Sequence, residues 1–164
     1  MVELTLPDGQ IRKYNTSVSG ADVAIDIGPG LAKAALAVRI NDKMTDLNLI
    51  IEEDCNFSIV TAKDLDALDL LRHDAAHVMA QAVQELFPNT QVTIGPSIEN
   101  GYYYDFAREK PFSTDDFETI EAKMAEIVDR DLKFVREIWG REETIKYFTE
   151  KGETYKAELV EAIP

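Results

Sequence analysis

The chain contains two histidines, His73 and His77, which are four residues apart. Four residues is slightly more than one helical turn, so on a helix both imidazole rings project from the same side and can reach one bound group. Imidazoles in this arrangement could bind a metal ion, take a proton from water, or hydrogen-bond a hydroxyl group near neutral pH. The pair is the first candidate for a functional site.

Metal binding is the alternative that the surrounding residues support least. Zinc proteases with two histidines at this spacing carry glutamate directly after the first one, and this chain has Asp74 there. There is no third histidine, and Cys55 lies in a different part of the sequence, so further ligands would have to be carboxylates. We therefore expect no metal site, and acid–base or positional chemistry remains.

A tyrosine-rich run and one lysine could complete such a site. The segment Tyr102–Phe106 predicts an aromatic strand on which Tyr102 and Tyr104 share one face. The run Gly101–Asp105 could line a pocket, or one face of it could pack in the core. Lys156 could pair with a carboxylate or a phosphate, or it could be a solvated surface residue. It lies in the apolar segment Tyr155–Val160, which we predict to be a strand that needs a sheet neighbour.

The two histidines must be positioned by a helix. The sequence from Leu68 to Leu86 has helical periodicity, and we expect the helix to end near Pro88, because the residue before a proline disfavours helix. The residues expected to face the core, roughly opposite the histidines, are Leu68, Leu71, Ala75, Val78, Ala82 and Leu86.

The first 62 residues predict a small sheet packed on one helix. Two short alternating strands flank the turn Pro7-Asp8-Gly9 and should form a hairpin. Ser19 can cap a helix that ends near Gly28. The segments Ala35–Ile40 and Phe57–Thr61 predict further strands. This order of elements is typical of a β-grasp fold.

Residues 63–164 predict a second unit that also mixes helices and strands. Besides the histidine helix, Ser113 and Asp116 resemble a capping box at the start of a long helix, and residues 142–148 predict another helix. We therefore expect an α+β protein with two domains, 1–62 and 63–164.

The composition narrows the class of protein further. The net charge of −14 excludes a nonspecific binder of nucleic-acid phosphates, although contact with one strand end stays open. No apolar run approaches the ~20 residues of a membrane-spanning helix. A single cysteine fits a reducing compartment. We expect a cytoplasmic protein without a membrane partner.

Several motifs together resemble a known family. In chain order they are Leu6-Pro7-Asp8-Gly9, Asp26-Ile27-Gly28-Pro29-Gly30-Leu31-Ala32-Lys33, Arg72-His73-x-x-x-His77, Ile94-Gly95-Pro96-x-Ile98-x-Asn100-Gly101-x-Tyr103-Tyr104-Asp105 and Gly152-x-x-Tyr155-Lys156. The chain resembles the N-terminal region of bacterial threonyl-tRNA synthetases, with the first two motifs in a TGS domain, which is a β-grasp module. The resemblance covers essentially the whole chain.

The resemblance implies a proofreading function. In this family the second unit is an editing domain that hydrolyses serine wrongly attached to the threonine tRNA. The editing-site positions correspond here to His73, His77, Tyr104 and Lys156. The histidines would hold the terminal ribose and a water, and Lys156 would orient the seryl group or the water; the general base stays open. The family completes this pocket with a later Cys-x-x-x-His motif, so we expect a truncated editing domain that is nearly inactive alone.

The resemblance also implies cofactors and partners. The full synthetase is expected to attach threonine to its tRNA with ATP, Mg and Zn, whereas this fragment should hold no cofactor. The expected partners are the acceptor end of tRNA(Thr) carrying a seryl ester and the rest of the synthetase, whose parent protein should be a homodimer. The alternative function is a regulatory or RNA-interaction module without catalysis, because TGS units also occur in some GTPases and stringent-response enzymes.

Overall fold

The computed structural model describes residues 1–132 and 134–163. It contains two compact units, Met1–Leu68 and Asp69–Pro164. Helices and strands are mixed, which confirms the α+β class. The division into two domains at residue 62 stays a prediction. Within the described ranges, no helix is both long enough and apolar enough to cross a membrane.

The first unit contains a five-stranded sheet in the order β2-β1-β7-β4-β5. Strands β1 and β7 run parallel, and the other neighbours in this sheet run antiparallel, including the predicted β1–β2 hairpin. The elements of the unit are β1 (Val2–Thr5), β2 (Ile11–Tyr14), β3 (Val18–Ser19), α1 (Gly20–Ile27), α2 (Pro29–Ala34), β4 (Ala35–Ile40), β5 (Lys43–Thr45), β6 (Ile50–Ile51) and β7 (Cys55–Thr61). This topology confirms the predicted β-grasp pattern.

Local sequence signals explain the start of α1 and its packing. The Ser19 hydroxyl accepts a hydrogen bond from the backbone N–H of Asp22 at 3.1 Å, and the Asp22 carboxylate accepts one from the Ser19 backbone N–H at 3.3 Å. This reciprocal cap satisfies two backbone donors at the helix start. The helix then buries Val23 against the sheet residues Leu4 and Val38, all three of which are fully buried. The core of the first unit therefore lies between α1 and one face of the sheet.

The second unit consists mainly of helices with two short antiparallel strand pairs, β8–β11 and β9–β10. Its elements are α3 (Ala67–Leu86), β8 (Gln91–Val92), β9 (Ser97–Ile98), β10 (Gly101–Tyr102), β11 (Phe106–Ala107), α4 (Asp115–Asp129), α5 (Arg141–Glu150) and α6 (Thr154–Glu161). Helix α3 ends before Pro88, as predicted. The Asp116 carboxylate accepts a hydrogen bond from the backbone N–H of Ser113 at 2.8 Å, and the predicted helices at α4 and α5 are confirmed.

Two strand predictions in this unit are wrong. Residues 103–105 lie between β10 and β11 instead of continuing one strand, so Tyr102 and Tyr104 do not share a regular strand face. The segment Tyr155–Val160 lies in helix α6. Helix α6 packs against α5 and β8 and buries Ala157, whereas Tyr155 and Leu159 are 41% and 43% exposed. As a helix, this segment does not need the sheet neighbour that we expected.

The predicted core-facing side of α3 is also wrong in part. Ala82 is buried as expected, but Leu68 and Leu71 are 50% and 41% exposed. The buried side contains Ala76 and Ala80 instead, on the same side of the helix as the histidines. Small alanine side chains allow neighbouring groups to approach the helix closely. Hydrophobic periodicity missed this side of α3, because the pattern of apolar residues does not show which side a neighbouring group can approach.

A charge network joins α3 to α4. The two terminal nitrogens of the Arg130 guanidinium, Nη1 and Nη2, each donate to the carboxylate of Glu85 at 2.8 Å, and Nη2 also donates to Glu126 at 2.7 Å. The bidentate contact lowers the pKa of Glu85 to about 2, because the guanidinium stabilises the ionised carboxylate. The network ties the C-terminal end of α3 to the end of α4.

Candidate functional site

The two histidine rings are in direct contact. The Nε2 atoms of His73 and His77 are 3.0 Å apart, and the ring planes are nearly perpendicular at 84°. One nitrogen must donate its N–H and the other must accept, so at least one ring has to be neutral. Both side chains keep access to solvent on the surface of α3. The predicted convergence of the two imidazoles is therefore present.

The surroundings of His77 favour its neutral form. Partial burial lowers its pKa most, followed by the charges of His73 and Lys156, while the carboxylate of Asp74 acts in the opposite direction. Burial disfavours a charged imidazolium, and nearby positive charges do the same. A neutral imidazole can accept a proton or a hydrogen bond from a hydroxyl group near neutral pH.

Lys156 is held beside a carboxylate that the sequence reasoning missed. Its Nζ lies 3.7 Å from Oε2 of Glu153 and 5.6 Å from the ring centre of Phe148. Glu153 is mostly buried, and its Oε1 accepts a hydrogen bond from the Gln84 amide. Its Oε2 is buried without a hydrogen-bond donor among the described residues. A buried carboxylate oxygen in this state strongly attracts a cation or a donor.

Tyr104 is held by a stacked ring and a backbone carbonyl. Its hydroxyl donates a long hydrogen bond of 3.4 Å to the backbone carbonyl of Thr93, and its ring stacks on Phe106 with centres 5.1 Å apart. Burial and the charge of Glu153 both raise the pKa of Tyr104, so the phenol stays protonated. A methyl group on Gly95 would come within 2.0 Å of the ring, so the absence of a side chain there makes room for it.

The four predicted site residues lie in one unit, and Glu153 lies beside one of them, Lys156. Lys156 affects the pKa of His77, and Glu153 affects that of Tyr104 and lies beside Lys156. The spacing of three residues between Glu153 and Lys156 predicts an ion pair on a helix. The sequence analysis missed this pair because it predicted a strand for the segment that contains Lys156. The catalytic roles of His73, His77, Tyr104 and Lys156 stay predictions.

The chemistry available here is proton transfer and charge positioning. Two imidazoles can share a proton with a water or a hydroxyl group, and an ammonium group can hold a carbonyl or hydroxyl oxygen. In the residues that the structure describes, no cluster of three or more histidine, cysteine, aspartate or glutamate side chains is arranged to hold a metal ion.

The electrostatics of His77 can be measured directly, because the chain has only two histidines. We expect the ring signal of His77 in an NMR titration to have its midpoint below 6.5. Since the unfolded chain binds the proton more tightly, the stability that neutral His77 contributes is complete above pH 6.5 and is lost as the pH falls toward the pKa of the folded state. His73→Gln should raise this midpoint more than Lys156→Met.

The control for this titration is Lys146→Met on α5, which removes an exposed lysine paired with Glu150 at 3.9 Å. It should leave the His77 midpoint unchanged. An unchanged midpoint in Lys156→Met would show that the ammonium group is not near the ring in solution.

Comparison with known proteins finds similar sequences along the whole chain. Residues 2–61 match the model of the TGS domain. The chain is 63% identical over 164 residues to the threonine–tRNA ligase of Rhodospirillum rubrum, 62% identical over 165 residues to that of Paramagnetospirillum magneticum, and 51% identical over 164 residues to that of Rickettsia typhi. Each alignment covers 100% of this chain and 26% of the relative. The chain therefore spans about a quarter of the length of these curated relatives.

Proposed function

The chain carries a TGS domain and matches the N-terminal region of threonine–tRNA ligases over its whole length, and from this we propose that it is the proofreading region of such a ligase. The longer protein would attach threonine to its tRNA with ATP and Mg, together with Zn. It would act in the cytoplasm as a homodimer. The region described here would hydrolyse the ester of serine wrongly joined to tRNA(Thr).

Proofreading answers a physical problem in the selection of threonine. Serine lacks one methyl group of threonine, so a pocket built for threonine rejects serine by only ~1–3 kcal/mol. A second, hydrolytic site can instead exclude threonine by steric conflict with its extra methyl group. The contact between His73 and His77, whose Nε2 atoms lie 3.0 Å apart, is the observation that most supports this proposal.

The roles follow from the chemistry of each group. The two imidazoles would bind the terminal ribose hydroxyl and the attacking water, since a ring nitrogen can accept a hydrogen bond from either. Lys156 would orient the seryl group or the water, held in place by Glu153. Tyr104 would form a wall of the pocket, fixed by Gly95 and Phe106. The proposal assigns no general base.

The test is a binding experiment with non-hydrolysable seryl and threonyl 3′-amino-adenosine compounds. We expect the seryl compound to shift the ring signals of both histidines and to bind at least about tenfold more tightly than the threonyl compound. Lys156→Met should weaken binding of the seryl compound, and Lys146→Met, the matched lysine control on α5, should not. Shifts confined to residues 1–62, with both histidines silent, would instead favour a TGS module without catalysis.

A further inference from the structure

A cavity of about 480 Å³ lies in the first unit, on the neighbouring strands β1, β7 and β4 of the sheet. The pairing of β4 with β7 places two of its lining residues, Arg39 and Ser58, directly opposite each other. Two further lining residues, Leu6 and Ile59, pack against the buried core. Strand pairing and core packing therefore form the cavity without a ligand, and its volume is in the range of small-molecule binding pockets.

The lining of this cavity contains charged groups of both signs. Arg39 supplies a guanidinium, and Asp42 and Asp64 supply two carboxylates. The Nη2 atom of Arg39 donates one hydrogen bond to Asp66 at 2.5 Å, but a guanidinium carries five N–H donors, so others remain for a second acceptor. Hydrogen bonds from the backbone N–H and the hydroxyl of Thr61, at 2.7 and 3.0 Å, lower the pKa of Asp64 and keep it ionised.

A small zwitterion matches this lining better than an ion of one sign. The two carboxylates repel an anion that has no positive group, and the guanidinium repels a cation that has no negative group. The carboxylate of an α-amino acid accepts N–H bonds from an arginine, and its ammonium group donates to carboxylates. The hydroxyls of Thr5 and Ser58 and the apolar side chains of Leu6 and Pro7 also line the cavity. A short side chain with a hydroxyl and a methyl group finds partners for both.

We propose that this cavity binds a free α-amino acid with a small hydroxylated side chain, its carboxylate on Arg39 and its ammonium group on Asp42 and Asp64. The lining residues lie between positions 5 and 64, whereas the four proofreading candidates lie in the other unit, Asp69–Pro164. The proposal therefore goes beyond the proofreading function and does not depend on it. It gives the TGS domain a binding function of its own.

The first test compares three ligands on the unaltered chain by isothermal titration calorimetry. L-Threonine is the zwitterion, N-acetyl-L-threonine keeps only the negative charge, and L-threonine amide keeps only the positive charge. We expect threonine to bind saturably and each analogue to bind at least about tenfold more weakly, because each loses one charge-assisted contact. Equally tight binding of either analogue, or no saturable binding of threonine, would overturn the proposal.

Arg39→Gln tests the contact with the carboxylate of the ligand. It should weaken threonine binding by about 10- to 100-fold, because a hydrogen-bonded charge is lost. It should not weaken binding of threonine amide, which has no carboxylate. Arg12→Gln is the matched control, since Arg12 also lies on a strand of this sheet and pairs with an aspartate, Asp26, but does not line the cavity. An unaltered threonine affinity in Arg39→Gln would reject the site.

Asp42→Asn tests the contact with the ammonium group. Asparagine tolerates the positive φ of 67° at this position, so the turn between β4 and β5 is preserved. The variant should bind threonine several-fold more weakly, and it should bind N-acetylthreonine, which has no ammonium group, no more weakly than the unaltered chain does. An equal loss of affinity for both ligands would contradict the assignment of the ammonium group to Asp42.

Discussion

His73→Ala, introduced into the longer ligase that we propose contains this sequence, is expected to slow hydrolysis of seryl-tRNA(Thr) by about 100- to 10,000-fold. The side chain lost is one half of the imidazole pair whose Nε2 atoms lie 3.0 Å apart. Without it, His77 loses the partner that fixes its tautomer and orientation. The measurement is the rate at which purified enzyme releases serine from seryl-tRNA.

Attachment of threonine in the same enzyme serves as the internal control for this variant, because it should remain within about twofold of the unaltered rate. Asp69→Ala gives a matched substitution on α3, since this side chain is 70% exposed and contacts Arg72 at 3.6 Å. It should leave hydrolysis unchanged. Full hydrolysis by the His73→Ala enzyme would reject the assignment of the histidine pair to this reaction.

Gly95→Ala is expected to destabilise the second unit by about 1–3 kcal/mol, the usual cost of forcing an extra group into a packed site. The added Cβ would lie 2.0 Å from Cδ2 of Tyr104 and 2.4 Å from its Cε2. Rotating the tyrosine away would disturb its stacking on Phe106 and its contact with the carbonyl of Thr93. Urea denaturation followed by the fluorescence of Trp139, the only tryptophan, measures the change.

Gly140→Ala is the matched control in the same unit. A Cβ added at Gly140 meets nothing within 4 Å, so only the weaker preference for alanine at the N-cap of α5 remains, and the free energy of unfolding should fall by less than about 1 kcal/mol. Equal stabilities of the Gly95→Ala and Gly140→Ala variants would show that the Tyr104 ring does not occupy the space beside Gly95.

Features with a short-range cause were predictable from the sequence. Two histidines four residues apart meet because helical geometry places them on one side, whatever surrounds the helix. The cap of α1 depends on Ser19 and Asp22, three residues apart, and the hairpin depends on a turn between two alternating strands. The family resemblance placed the four candidate residues, and their roles stay predictions.

Features that depend on distant neighbours could be decided only by the tertiary structure. The segment Tyr155–Val160 is apolar enough for a strand, but it becomes a helix that packs on α5 and β8. The loop before it is held by Gln91, whose amide donates to the carbonyl of Gly152 at 2.6 Å, across 61 residues. Glu153 likewise receives its hydrogen bond from Gln84, which is 69 residues away.

Periodicity along the chain therefore determined which residues could lie side by side within one element. It could not determine which elements meet, because the free energy of burying a face or pairing a carboxylate depends on groups that the chain supplies much earlier or later. The buried side of α3, the space beside Gly95 and the environment of Lys156 all depend on such groups, and the tertiary structure alone brings them together.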